Sequence, residues 1–220
     1  KAPDGWSCWA FSNHDVVRHA SRWGDKVEDR EAFLKMTVTL ILSLRGSVCL
    51  YQGEELGLTE ASIGYEELRD PYGVQFWPKF KGRDGCRTPM VWNHNAANAG
   101  FSTAKPWLPI PGEHMHHAAD RHDGDAESLL THYKEALQFR KQCPELSKGS
   151  VRFVGDDDNV LVFERAYQNT TMFVAINTSA ESATVSAPDE SFTSISSTGA
   201  GGLVSGSDLV LEPFGTYFTS

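Results

Sequence analysis

Ser47-Val48-Cys49-Leu50-Tyr51-Gln52-Gly53-Glu54-Glu55 is the stretch that decides the architecture. Its first five residues form a continuous apolar run of strand length, which then breaks into amide and carboxylate groups. A continuous run, rather than an alternating one, predicts a strand buried on both faces, as in a parallel sheet, with Cys49 in the core. The residues before it predict a helix from about Asp29 to Arg45: Asp29 is placed to cap it, Glu31 suits its positive end, and Gly46 ends it. Phe33, Met36, Leu40 and Leu44 recur at helical spacing, and Val38, Ile41 and Leu42 widen the apolar face. Upstream, residues 6–11 predict another strand, which ends in Phe11-Ser12-Asn13-His14-Asp15. Strand, helix and strand with short links make a βαβ unit, and a parallel arrangement puts both polar strand ends on one rim. Barrel enzymes present their chemistry on such a rim.

Outward from this unit the texture changes twice. From Leu56 to about Asp125 the chain is irregular and rich in Gly, Pro and aromatic residues, and a loop of that length in a compact domain is usually functional. A helix is predicted from about Ala126 to Gln142, with Leu130, Tyr133 and Leu137 on its inner face and Pro144 closing it. Beyond residue 148 short alternating strands follow: 151–154, 160–167, 171–177, 183–186, 209–211 and 216–218. The expected organisation is therefore a portion of an α/β domain over residues 1–148 and an all-β domain over 149–220. Gly199 to Gly202 reads as a loop and not a phosphate cradle, since no helix and no Lys follow it.

The 220 residues carry a formal charge of −9, which argues against a basic nucleic-acid footprint. No apolar run approaches the length of a membrane span. Cys8, Cys49, Cys86 and Cys143 show no paired spacing and read as reduced thiols of a cytoplasmic protein, with no metal site among them. His114, His116, His117 and His122 read as a solvated loop rather than metal ligands. The first residue is Lys1, with no initiator Met and no signal peptide, so a cut or processed chain is expected.

Two constellations carry chemistry. Asn13-His14-Asp15, followed by Arg18 and Arg22, reads either as a salt-bridged strand cap or as an ionised carboxylate backed by a donor, suited to sugar hydroxyls and to a cationic transition state. Gly82-Arg83-Asp84-Gly85-Cys86-Arg87-Thr88-Pro89-Met90-Val91-Trp92 reads either as a loop pinned by an Arg–Asp pair or as a guanidinium fork aimed at ligand oxygens. Trp77 and Phe80 nearby offer faces on which sugar rings can stack. In the acidic stretch Glu54, Glu55 and Glu60, one carboxylate is expected to pair with an arginine, and Glu60 lies far enough along to reach a cleft.

Taken together these segments resemble the α-amylase superfamily of glycoside hydrolases (glycoside hydrolase family 13), in its α-glucosidase and oligo-1,6-glucosidase branch. Residues 11–24 resemble that family's fourth conserved region, residues 46–58 its eighth barrel strand, and residues 83–92 its Arg-Asp-x-x-Arg-Thr-Pro-Met-x-Trp signature, with Asn98-Ala99-Gly100-Phe101-Ser102 continuing the match. The resemblance implies the last two βα units of a (β/α)8 barrel of about 250 residues, followed by an antiparallel β-sandwich. It implies that Asp15 is the third acid of the catalytic site, that His14 bonds the same sugar, and that Arg83 grips the non-reducing end of glucose. Arg87 joins them as a binding residue that also organises the loop, and Glu60 faces the leaving group. The nucleophile and acid/base belong to earlier strands, and no position here matches them, so the chain alone is expected to be inert. Expected ligands are α-glucosides or maltose- and isomaltose-type oligosaccharides, the expected partner is the N-terminal part of the barrel, and no cofactor or metal is implied. A sucrose isomerase or trehalose synthase of the same family remains a rival. So does a non-catalytic relative serving as a structural subunit, although keeping His14, Asp15 and Arg83 together disfavours it.

Overall fold

The structure is a computed structural model that describes residues 5–155, 157–187, 194–195 and 201–220. The chain forms two compact units. One holds residues up to Trp9, Val27–Cys49 and His132–Ser220; the other holds Ala10–Lys26 and Leu50–Thr131.

In the first unit, strand β1 (Cys8–Trp9) pairs in parallel with β2 (Ser47–Val48), with Cys8 opposite Ser47 and Trp9 opposite Val48. Between them in sequence the short helix α1 (His19–Arg22) belongs to the second unit, and α2 (Arg30–Ser43) makes the crossover. The Asp29 carboxylate accepts the Ala32 amide at 3.0 Å, which is the predicted N-cap. Helix α2 is buried on nearly every side, from Phe33 and Leu34 to Ile41 and Leu42. It stops at Ser43, one residue before its apolar pattern does, because Leu44 turns extended. The freed terminal carbonyls do not go to a glycine cap. Arg140 donates to the carbonyls of Leu42, Leu44 (3.2 Å) and Gly46 (2.6 Å), and Arg165 donates to that of Ser43. The second strand is also shorter than predicted, and it is not buried on both faces: Ser47 and Cys49 are exposed, and Val48 and Leu50 are half-buried. Among the described residues this sheet has only two strands, so no neighbouring strand covers the apolar run.

Helix α3 (Pro71–Phe76) and α4 (Ala119–His122) interrupt the long irregular segment of the second unit. Helix α5 (Leu129–Gln142) starts later than predicted, and α6 (Pro144–Lys148), which the sequence pattern missed, follows at once with Pro144 in its first turn. Leu137 is 43% exposed, so the inner face of α5 is instead Leu129, Tyr133 and Ala136.

The β-domain is a sandwich of a five-stranded sheet in the order β3-β4-β5-β10-β7 and a three-stranded sheet in the order β6-β9-β8. Its strands are β3 (Ser150–Phe153), β4 (Val160–Tyr167), β5 (Thr170–Asn177), β6 (Ala183–Ser186), β7 (Ser194–Ile195), β8 (Gly202–Ser205), β9 (Asp208–Leu211) and β10 (Thr216–Thr219). All described pairings in both sheets are antiparallel. Of the predicted glycine loop, residues 199–200 lie outside the described residues, and Gly202 opens β8. The period-2 alternation of β4 sorts its side chains. Val160 and Val162 join Phe173, Ala175, Leu209 and Leu211 in the core between the sheets. Phe163 and Arg165 point the other way and are fully buried there, Arg165 lying opposite Met172.

Arg165 explains why that second face tolerates a charge. Its guanidinium donates to the carbonyls of Ser150 (2.8 Å), Leu146 and Gly149 (both 3.0 Å) and Ser43, joining β3, α6 and the end of α2. Arg165→Met leaves those buried carbonyls unpaired. We expect a loss of about 3 kcal/mol or more, read as a lower urea midpoint of the full-length protein at unchanged slope.

Candidate active site

The second unit gathers the polar rim residues. Ser12 is buried, and its Oγ lies 2.9 Å from His19 Nδ1 and accepts the His19 amide at 2.9 Å. This clasp folds Asn13-His14-Asp15 outward as a turn, in which Asn13 Oδ1 accepts the Asp15 amide at 2.8 Å. The Asp15 side chain is 50% exposed. His14 Nε2 lies 3.4 Å from Asp15 Oδ2.

The arginines that reach Asp15 are Arg83 and Arg87, not the Arg18 and Arg22 that sit beside it in sequence. Arg83 donates to Asp15 Oδ1 at 2.8 Å and Arg87 at 3.2 Å, while Arg87 Nε also donates to the His14 carbonyl at 2.8 Å. Arg22 instead donates to the Phe11 carbonyl and stacks on Trp23. Arg18 is buried and turned inward. It donates to the carbonyls of Gln52 (2.6 Å) and Cys86 (3.0 Å), lies over the Tyr51 ring, and has its pKa lowered by burial. Three separated segments thereby meet on one guanidinium.

Glu60 is part of that hub. Its Oε2 accepts the Arg18 amide at 3.1 Å, and its own amide donates to Ser21 Oγ at 2.9 Å. Burial raises its pKa. Glu55 is likewise raised by burial, and its Oε2 accepts the Gly53 amide at 2.8 Å. Glu54 is buried with Oε1 3.6 Å from His19 Nδ1.

Sequence reading missed the residue that fixes Arg83. Asp70 caps helix α3, accepting the Tyr72 amide at 3.2 Å, with Pro71 in the first turn. It then takes Arg83 in a fork: Nε to Oδ2 at 2.8 Å, Nη2 to Oδ1 at 3.0 Å, and the Arg83 amide to Oδ2 at 2.8 Å. These donors hold the Asp70 carboxyl down at about 2 and push the Arg83 guanidinium up. Asp84, the arginine's neighbour in sequence, does a different job. Buried, its Oδ2 accepts the amides of Arg69 (2.6 Å) and Asp70 (2.8 Å). The two backbones approach closely because Gly73 and Gly82 face each other. A Cβ on Gly82, which has φ +77°, would lie 2.8 Å from Gly73 Cα. The Asp-Pro-x-Gly pattern of 70–73 was the available signal for a capped turn, but its pairing with Arg83 is long-range and left no trace in local spacing.

The other expectations fare differently. Trp77 packs against the cluster of Ala61, Ile63 and Leu68, so it is not a free stacking face, whereas Phe80 is exposed. The histidine stretch is not uniformly solvated. It forms a 3-10 helix, and His114 is fully buried with Nε2 3.1 Å from the Thr59 carbonyl oxygen. Among the described residues no group of three or more His, Cys, Asp or Glu could hold a metal ion, and no helix is long and apolar enough to cross a membrane.

The sequence family described as "Alpha amylase, catalytic domain" matches residues 1–149, and "Alpha-amylase C-terminal domain" matches residues 149–209. The chain belongs to the α-amylase family: it is the end of a catalytic (β/α)8 barrel, followed by that family's C-terminal β-domain. Among curated relatives, a "Probable alpha-glucosidase" of Rhizobium meliloti (strain 1021) is 54% identical over 187 residues, 85% of this chain and 34% of the relative. The "Probable oligo-1,6-glucosidase 2" of Bacillus subtilis (strain 168) is 33% identical over 81% of this chain and 35% of its own length. The chain thus spans about a third of the curated relatives it matches. Of solved structures, the α-glucosyl transfer enzyme XgtA superposes with a TM-score of 0.91 at 44% identity, covering 98% of this chain and 40% of XgtA. The trehalulose synthase MutB of Pseudomonas mesoacidophila MX-45 gives a TM-score of 0.80 at 29% identity, covering 98% of this chain and 43% of MutB.

Asp70→Asn keeps the shape of the carboxylate but loses its charge, so Arg83 loses its anchor. In the full-length protein kcat/KM should fall by about 10-fold or more with Asp15 untouched, and wild-type kinetics in the variant would contradict the anchoring role. Burial also lowers the His114 imidazole to about 4. Between about pH 6.5 and 4 the unfolded chain therefore binds a proton that the folded chain refuses, so stability falls as pH drops across that window. His132, lowered to about 4 by the same cause, adds to the slope. Thermal melts at stepped pH should show a shallower acid slope in His114→Gln.

Proposed function

We propose that this chain is the C-terminal part of a retaining α-glucosidase that removes terminal α-linked glucose from oligosaccharides or α-glucosides. The observation that carries the reading is the relay Asp70–Arg83–Asp15 with His14 beside it: an exposed carboxylate of fixed orientation, flanked by donors. In this reading Asp15 accepts hydroxyls of the glucose being cleaved and stabilises its oxocarbenium-like transition state. His14 donates to the same ring, Arg83 holds its non-reducing end, and Arg87 supports Asp15 from the other side. Glu60, whose Oε2 accepts the Arg18 amide, is held by that contact and faces the leaving-group side. The nucleophile and the general acid come from residues outside this chain. The catalytic portion runs over residues 1–148 and the β-domain over 149–220. Unpaired cysteines fit a cytoplasmic protein, and a formal charge of −9 fits neither nucleic acid nor an anionic membrane surface.

A second reading has a specific support. The similarity to the α-glucosyl transfer enzyme XgtA favours transfer of the glucosyl group to a hydroxyl acceptor in place of water. Both readings pass through the same covalent glucosyl intermediate and differ in what attacks it.

The test is Asp15→Ala in the full-length enzyme with a nitrophenyl α-glucoside. Turnover should fall by about 10³-fold or more, and near-normal turnover would sink the role given to Asp15. Product analysis with added glucose then separates hydrolysis from transfer.

A further inference from the structure

Behind the Asn13-His14-Asp15 turn, one imidazole nitrogen faces two oxygens from separated segments. Ser12 Oγ lies 2.9 Å from His19 Nδ1, and Glu54 Oε1 lies 3.6 Å from the same atom. All three side chains are buried. Ser12 and His19 close the stretch of chain that carries Asn13, His14 and Asp15. Glu54 belongs to the segment that follows β2.

The ring is not needed to close that stretch. Ser12 Oγ already accepts the His19 amide at 2.9 Å, a bond that any residue but proline would supply at position 19. The ring is nevertheless closely confined. Phe11 and Trp23 flank it at centroid distances of 6.0 and 6.2 Å, and they meet each other edge-on at 5.2 Å. Walls packed in this way leave the imidazole little freedom to turn.

Glu54 is fixed through its backbone. It opens a 3-10 helix, Glu54–Leu56, between Gly53 (φ 87°) and Gly57 (φ 69°), both left-handed. A Cβ on Gly53 would lie 2.6 Å from Leu58 Cδ1, so the turn that buries Glu54 is confined to glycine. Its Oε1 has no hydrogen-bond partner among the described residues. Buried polar atoms are nearly always paired, and leaving one unpaired costs stability. The 3.6 Å to His19 Nδ1 exceeds hydrogen-bond length by about half an ångström, so a small turn of the ring makes the bond.

We propose that His19 and Glu54 are positioning residues for this site: the Nδ1 proton of His19 is shared between Ser12 Oγ and Glu54 Oε1, and this holds the turn bearing His14 and Asp15 in register with the segment after β2. Neither side chain meets the sugar. Arg18 ties the end of the turn to the Gln52 carbonyl, and His19 with Glu54 ties its start. The inference rests on the α-glucosidase reading for the reaction that reports it.

Positioning and packing make opposite demands on Glu54. A buried carboxylate with incomplete pairing is replaced by an apolar side chain of similar volume at little or no cost in stability, whereas the register it holds is lost. The experiment uses the full-length enzyme and a nitrophenyl α-glucoside, with the Tm of every variant recorded. Glu54→Met should melt no lower than wild type, yet kcat/KM should fall about 10-fold, chiefly through kcat. His19→Leu should lose about as much. His19→Asn, whose amide nitrogen reaches the place of Nδ1, should return to within about 3-fold of wild type. Because both side chains act through one proton, the double variant of Glu54→Met with His19→Leu should lose no more than the worse single one. Wild-type kcat/KM in Glu54→Met, or losses that multiply in the double variant, would overturn the proposal. So would activity lost only in step with Tm, which is the mark of plain packing. If His19→Leu does not fold, Glu54→Met and His19→Asn still decide the matter. A wild-type enzyme that turns over no α-glucoside would instead overturn the α-glucosidase reading, and this inference with it.

Discussion

The site depends on one buried cation. Arg18 is 1% exposed, and its guanidinium joins the carbonyls of Gln52 and Cys86 while its amide is held by Glu60. These contacts tie the turn carrying His14 and Asp15 to the segment after β2 and to the loop carrying Arg83 and Arg87. Loops of this length do not hold a constellation in place by local propensity, since the entropy of ordering them must be offset by specific contacts. A guanidinium is suited to the task because it presents five donors in a rigid plane. It is closely seated: a Cβ on Gly53 would lie 3.0 Å from its Nη1.

The chain uses arginine in two ways, and the distinction separates scaffold from rim. Arg18, Arg140 and Arg165 are turned to backbone carbonyls and have their pKa lowered by burial. Carbonyl partners satisfy the donors without taking a second full charge out of water, which is where buried ion pairs lose their advantage. Arg83 and Arg87 are turned to carboxylates, both to the half-exposed Asp15 and Arg83 also to the buried Asp70. The one fully desolvated carboxylate among their partners, Asp70, receives four donors from Arg83 and Tyr72, enough to stay ionised.

Local pattern carried much of this into the sequence. Strands β4 and β6 match their predicted limits because alternation and turn residues are both local signals. The Asp29 cap was legible for the same reason. What failed were inferences about surroundings. The apolar run at 47–51 predicted burial on both faces, but burial is set by neighbours, and the pattern is silent on whether they lie in the same chain. His114 looked like its solvated neighbours, yet it is buried against the Thr59 carbonyl, 55 positions away. Proximity in sequence sets Arg18 and Arg22 beside Asp15, whereas its partners are 68 and 72 positions along. Spacing identified segments that do meet around Asp15; which side chain meets which is a tertiary fact.

The rim pairs are weak by design of their exposure. Asp15 is half exposed, and ion pairs in that setting are worth about 0–1 kcal/mol. Hydrogen bonds to a charged partner are worth about 1.5–3 kcal/mol, so a ligand hydroxyl can displace water from Asp15 without a large penalty from Arg83 or Arg87. Arg83 need not move when that happens, since its fork to Asp70 is independent of Asp15. The orientation of the carboxylate is therefore set beforehand by a buried anchor, and its affinity is left available for a ligand. That division is what preorganisation requires: the strong interaction lies one residue behind the one that meets the ligand.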